Sequence, residues 1–220
     1  MKLPFAHTRS RFALVSTALT ICMATLAGCE SAPAEGDEAA LGEYVYRNKC
    51  EPCHAPDGSG NPANGAPGIS GMPDWYIIAQ VEKFRDGHRG GHFDDIAGLR
   101  MRPMARTVTP EEIVAVAAHL AAAKPVRLGG QTVEGDLAAG KEAFKLCAAC
   151  HGTSGEGNKS VNGPPLAGMD DWYLVQQLDN FKAGIRGTNP NDVTGGQMAI
   201  NVAAMDEQAL RDVVAYISTL

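Results

Sequence analysis

Two small all-α domains in tandem are what this sequence predicts, and three observations carry that prediction. The chain repeats itself, each copy shows helix-like apolar spacing without convincing strand alternation, and 220 residues suit two domains of about 100 residues each. The repeat is anchored by Cys50-Glu51-Pro52-Cys53-His54, which returns 97 positions later as Cys147-Ala148-Ala149-Cys150-His151. The same offset carries Pro67 onto Pro164, Gly71-Met72 onto Gly168-Met169, and Asp74-Trp75-Tyr76 onto Asp171-Trp172-Tyr173. It also carries Phe84 onto Phe181, Arg89-Gly90 onto Arg186-Gly187, Met101 onto Met198, and Ile113 onto Leu210. Small compensating shifts fall only around Asn64-Gly65 and before Cys50.

Residues 1–28 read as an export signal: Lys2, Arg9 and Arg11 precede an apolar stretch from Phe12 to Gly28 that is short and rich in Ser and Thr. The stretch ends in Leu26-Ala27-Gly28-Cys29, which resembles the lipobox of bacterial lipoproteins and makes Cys29 the expected lipidation site. The alternatives are an ordinary cleavage nearby or an uncleaved anchor. Residues 29–40 form an acidic, Ala-rich tether.

The first domain, 41–123, opens with a helix from about Leu41 to Lys49 that delivers the cysteines; the second, 136–220, opens with Asp136 to Leu146. A middle helix is expected from Trp75 to Phe84, with Ile77, Ile78, Val81 and Phe84 at helical spacing, and again from Trp172 to Phe181. The last begins at Thr109-Pro110-Glu111-Glu112, a capping box with proline at the first helical position, and its second copy spans Asp206 to Ser218. Between the copies, residues 124–135 contain Pro125, Gly129 and Gly130 without helical period, and read as a linker.

Without the three basic signal residues, 16 Lys plus Arg face 25 Asp plus Glu, a formal −9. So acidic a chain has no general basic surface for nucleic acid, and long-range steering favours partners with positive patches. Of the six cysteines, Cys22 lies in the signal and Cys29 at the expected lipid site, so the domains own two C-x-x-C-H pairs and no spare thiol.

C-x-x-C-H is the attachment motif for c-type haem. The two thiols add to the two vinyl groups along one porphyrin edge, and the adjacent His ligates the iron from one face. Zinc requires four ligands, which neither copy supplies, and a thioredoxin-like pair belongs in an α/β setting. Cys50, Cys53, Cys147 and Cys150 are therefore expected to hold two covalent haem c groups, with His54 and His151 on the iron. The sixth position of an electron carrier is commonly a Met, which raises the reduction potential relative to a second His. Met101 and Met198 obey the repeat and lie far enough beyond the motif to cover the opposite face. Met72 and Met169 obey it too, but stand close to the proximal segment and read as packing residues; Met104 is the fallback in the first copy.

The C-x-x-C-H motif, the segment Gly163-Pro164-Pro165-Leu166-Ala167-Gly168, the Asp-Trp-Tyr helix, the Met and the acid-started last helix together resemble class I cytochromes c. In tandem they resemble the cytochrome c-four type of two-haem carrier over roughly residues 41–220. That resemblance implies that the Pro67 and Pro164 carbonyls accept a hydrogen bond from the free imidazole nitrogens of His54 and His151. The first copy departs from the pattern, since Ala66-Pro67-Gly68-Ile69-Ser70-Gly71 lacks the leading Gly.

Other residues read as structural. His88 and His92 have no counterparts that bind metal, because Ile185 and Asn189 replace them, and His119 aligns with Tyr216 as a packing residue. Trp75 and Trp172 are expected in the core. Arg89 and Arg186 pair with haem propionates or lie on the surface. The function expected is a periplasmic, lipid-anchored carrier passing single electrons between redox partners such as a quinol-oxidising complex, a dehydrogenase or a terminal oxidase. The alternatives are an electron-accepting subunit of a dehydrogenase complex and, with little to support it, a two-haem peroxidase.

Overall fold

The computed structural model describes residues 33–34, 36–128 and 131–220; the export signal and Cys29 lie outside them. Among the described residues the fold is helical, with only isolated bridges at Asn61–Ala66 and Asn158–Gly163. No described helix is long and apolar enough to cross a membrane.

Helix α1 (Glu38–Val45) begins inside the stretch read as tether, because the Asp37 carboxylate accepts the Ala40 N–H at 2.9 Å and caps it. It widens into a π turn at Tyr46–Cys50 and ends in the short α2 (Glu51–His54). The second copy makes the same passage as one uninterrupted helix, α6 (Leu137–His151). The difference follows from Pro52, which cannot donate the backbone bond that Ala149 donates, so the first copy opens its register just before the motif.

The middle helices are α3 (Asp74–Arg85) and α7 (Asp171–Lys182), and the last are α5 (Pro110–Ala122) and α9 (Glu207–Ile217). The capping box of α5 forms in both directions, with Thr109 N–H donating to Glu112 at 2.8 Å and Glu112 N–H donating to Thr109 at 3.2 Å. Each copy also contains a helix not expected from its sequence: α4 (Ile96–Ala105) and α8 (Val193–Ala203), the segments that bear Met101 and Met198. Gly98, Pro103, Gly195 and Gly196 weaken their intrinsic helicity and blur the apolar period. Their capping aspartates compensate: Asp95 accepts Gly98 N–H at 2.9 Å and Asp192 accepts Gly195 N–H at 3.0 Å.

In each domain the first helix crosses the last at a glycine. A Cβ on Gly42 would stand 2.4 Å from the Ala115 carbonyl oxygen, and one on Gly140 would stand 2.0 Å from that of Asp212. One turn on, Tyr46 meets His119 at 5.6 Å between ring centroids, and Phe144 meets Tyr216 at 5.5 Å. The first core gathers Val45, Tyr46, Met72, Ile77, Val116 and Leu120; the second gathers Val133, Phe144, Leu174, Val213, Val214 and Ile217. The linker is pinned at both ends. Arg127 donates to the Ser70 carbonyl at 2.9 Å and to the Gly168 carbonyl, and the Asp171 carboxylate accepts the Thr132 hydroxyl at 2.7 Å and the Val133 N–H at 2.8 Å.

Candidate haem sites

Each C-x-x-C-H motif ends its helix by turning sharply at a residue with positive φ, Ala55 (66°) and Gly152 (83°). The chain then doubles back, with Gly60 N–H donating to the His54 carbonyl at 3.0 Å and Gly157 N–H to that of His151 at 2.7 Å. This return brings Pro67 and Pro164 beside the imidazoles. His54 Nδ1 lies 2.9 Å from the Pro67 carbonyl oxygen and His151 Nδ1 lies 2.8 Å from that of Pro164. A carbonyl can only accept, so in this geometry Nδ1 carries the proton and Nε2 presents its lone pair. Burial holds both imidazoles below their ordinary pKa, against the opposing effect of the carbonyl, and keeps them neutral as an iron ligand must be.

Cys50 and Cys147 are half-buried while Cys53 and Cys150 are exposed, and none of the four is in a disulfide. Burial pushes the Cys50 thiol up to about 12 and raises that of Cys147. In the second domain Cys150, His151 and Met198 line one cleft that opens to solvent. A second lobe shares those three residues and adds Cys147, Met205 and Leu210. Its walls are mostly apolar: Leu166, Leu174, Leu178, Val202, Val213 and Ile217. In the first domain Met101 is half-buried, in step with the buried Gly98 and Ala105 on α4. Met72 is packed in the first core at 4% exposure, Met169 packs against both cores, and Met104 stands 39% exposed.

The repeated arginines are neither surface residues nor paired with acids. Arg89 and Arg186 are 5% and 9% exposed and meet where the domains touch. Arg89 donates to Gln80 at 2.8 Å, to Gln177 at 3.0 Å and to the Tyr173 hydroxyl at 3.1 Å; Arg186 donates to Gln177 at 2.8 Å and to Gln80 at 3.2 Å. Each guanidinium also lies over a ring of its own domain, Phe84 at 4.3 Å and Phe181 at 4.4 Å. Sequence reasoning missed Tyr76, Tyr173, Gln80 and Gln177, although all four obey the 97-residue offset. The tryptophans beside those tyrosines are only half-buried and belong to neither core, contrary to expectation.

The Nε atoms of both arginines and Nε1 of Trp172 are buried without a hydrogen-bond partner. Two buried cations with neutral partners and spare donors suit an acidic ligand edge, and Arg186 itself lines the second domain's cleft beside His151 and Met198. Haem, with its apolar ring, its propionates and its need for a neutral imidazole, fits these residues. His88 and His92 lie on one loop, with His92 stacked on Phe93 at 4.6 Å, and no metal-binding cluster occurs among the described residues.

The cytochrome c family model matches residues 39–124 and 137–220. The chain is 31% identical over 176 residues to the thiosulfate dehydrogenase electron acceptor of Stutzerimonas stutzeri, covering 72% of this chain and 78% of that protein. It is 30% identical over 191 residues to cytochrome c4 of Azotobacter vinelandii, covering 81% and 87%. Among solved structures, thiosulfate dehydrogenase (TsdBA) of Marichromatium purpuratum superposes with a TM-score of 0.67 at 29% identity, over 81% of this chain and 39% of that one. None of these is named a peroxidase, and nothing supports that alternative. The chain belongs to the cytochrome c family, in the tandem form of cytochrome c4, and is an electron-transfer protein with two covalently bound haem c groups.

Proposed function

We propose that Cys50 and Cys53 hold one haem and Cys147 and Cys150 the other, with His54 and Met101 as axial ligands in the first domain and His151 and Met198 in the second. The observation that carries this reading is the doubled geometry: in each copy a neutral, buried imidazole spends its Nδ1 proton on a proline carbonyl. Bound haem supplies the one-electron iron couple. The protein's part is to exclude water with the leucine and valine walls, fix each imidazole plane through Pro67 or Pro164, and present a thioether from α4 or α8. Arg89 and Arg186 offer their unpartnered Nε donors to propionates. No step in that role calls for a general acid or base.

The signal-like residues 1–28 and the lipobox-like sequence ending at Cys29 support a periplasmic carrier on an N-terminal lipid anchor. Of its possible redox partners, a dehydrogenase is the one the relatives favour, because the Stutzerimonas stutzeri relative is named as an electron acceptor of thiosulfate dehydrogenase. Recovery of the tagged protein from membranes of its own cells distinguishes the two readings. A mobile carrier emerges with two haems, an N-terminal lipid by intact mass, and no stoichiometric second subunit. A dehydrogenase that co-purifies one to one establishes the accepting-subunit reading instead.

A further inference from the structure

The second domain's cleft is completed by the first domain. Tyr76, Gln80 and Lys83 stand on successive turns of α3 and line the same cleft as His151 and Met198. Lys83 Nζ lies 2.6 Å from Asp192 Oδ1 and donates to Thr194 Oγ1 at 2.5 Å. Asp192 caps α8 through Gly195 N–H, its side chain is fully buried, and its Oδ2 has no hydrogen-bond partner. Removing the cation from a buried carboxylate leaves an uncompensated charge, which is strongly destabilising where it occurs. The strain would fall on the first turn of the helix that carries Met198.

The contact exists in one direction only. The repeat offset sets Asn180 against Lys83, Asp95 against Asp192 and Ala97 against Thr194. The cap of α4 therefore has its aspartate and glycine but receives no lysine from the other domain. We propose that Lys83 is a positioning residue of the second haem site, supplied by the first domain: it fixes the start of α8, and so Met198, and places a positive charge beside that cleft alone. The proposal rests on the reading of Met198 as an axial ligand. Other charges facing Lys83 are Arg89 and Arg186, both positive; burial lowers its pKa and Asp192 raises it.

The test uses full-length holoprotein and the weak far-red band of Met–iron bonding. In a Met101→Ala background the remaining band reports Met198. Adding Lys83→Gln should keep two haems per chain yet raise the Met-dissociated population about tenfold at a fixed sub-denaturing urea concentration. It should also lower that haem's reduction potential, and Lys83→Arg should restore both. In a Met198→Ala background Lys83→Gln should leave the remaining band and the first haem's potential unchanged. Equal effects in the two backgrounds, or none in the first, overturn the proposal. Should Lys83→Gln fail to accumulate, Thr194→Val removes only the second acceptor and carries the same test with a smaller shift. If Met198→Ala leaves the band whole, the ligand assignment has failed rather than the role of Lys83.

Discussion

His54 and His151 show how one hydrogen bond sets chemistry. With Nδ1 committed to Pro67 or Pro164, the ring cannot rotate without losing a bond in a buried place, so its other nitrogen keeps a fixed aim. The histidines were legible in the sequence because C-x-x-C-H is a dense local motif, and the resemblance to class I cytochromes c supplied the prolines. The methionines required more. Four obey the repeat, and spacing alone ranked them; the structure seals Met72 among Val45, Tyr46 and Ile77, whereas in the second domain Met169 and Met198 both line the cleft of His151. Met72→Ala should therefore cost about 2–5 kcal/mol of stability by leaving a core cavity. Urea unfolding measures that cost, and the Met–iron band of the folded variant should keep its full intensity. A selective loss of half the band would mean that Met72, not Met101, is the ligand. Lys83 was not legible at all, because a lysine that pairs across a domain boundary looks like any solvated lysine.

At the scale of helices, the sequence revealed what periodicity and capping chemistry reveal. The box at Thr109 and Glu112 located α5 closely, and apolar spacing located α3 and α7. It did not reveal α4 or α8, where glycines and Pro103 depress propensity and a capping aspartate restores it; the recurring Asp95 and Asp192 were the available signal. Nor did it mark Gly42 and Gly140, whose pairing is displaced from the main offset by the shift before Cys50. These glycines let the first and last helices touch backbone to backbone, and that crossing presents the motif to its pocket. Gly140→Ala drives a methyl group to 2.0 Å from a backbone oxygen, which no rotamer relieves. Separation of α6 from α9 should follow, with a loss of roughly 1–3 kcal/mol. Thermal unfolding followed at the second domain's Trp172 is the measurement, and an unchanged midpoint would show that the crossing is looser than described.

For the whole molecule, the duplication was plain from sequence but the way the copies meet was not. The join is built from repeated residues used in trans: each arginine bonds its own domain's glutamine and the other's, so the two halves of the cluster are mutually dependent. Two buried guanidiniums repel, and the glutamines, Tyr173 and the Phe84 and Phe181 rings offset that repulsion without neutralising it. Their Nε donors remain without a hydrogen-bond partner. On this asymmetric frame the two sites differ in surroundings, since only the second receives Lys83 and its cleft is partly walled by the first domain.

The proposed ligand set requires two covalent haems of like ligation, one per domain. Optical spectra of the holoprotein, with a pyridine haemochrome count, test it most directly when repeated on Met101→Ala and Met198→Ala. The holoprotein should show two haems per chain and a Met–iron band that each substitution halves and both together abolish. One haem per chain, or a band that survives the double substitution, would contradict it.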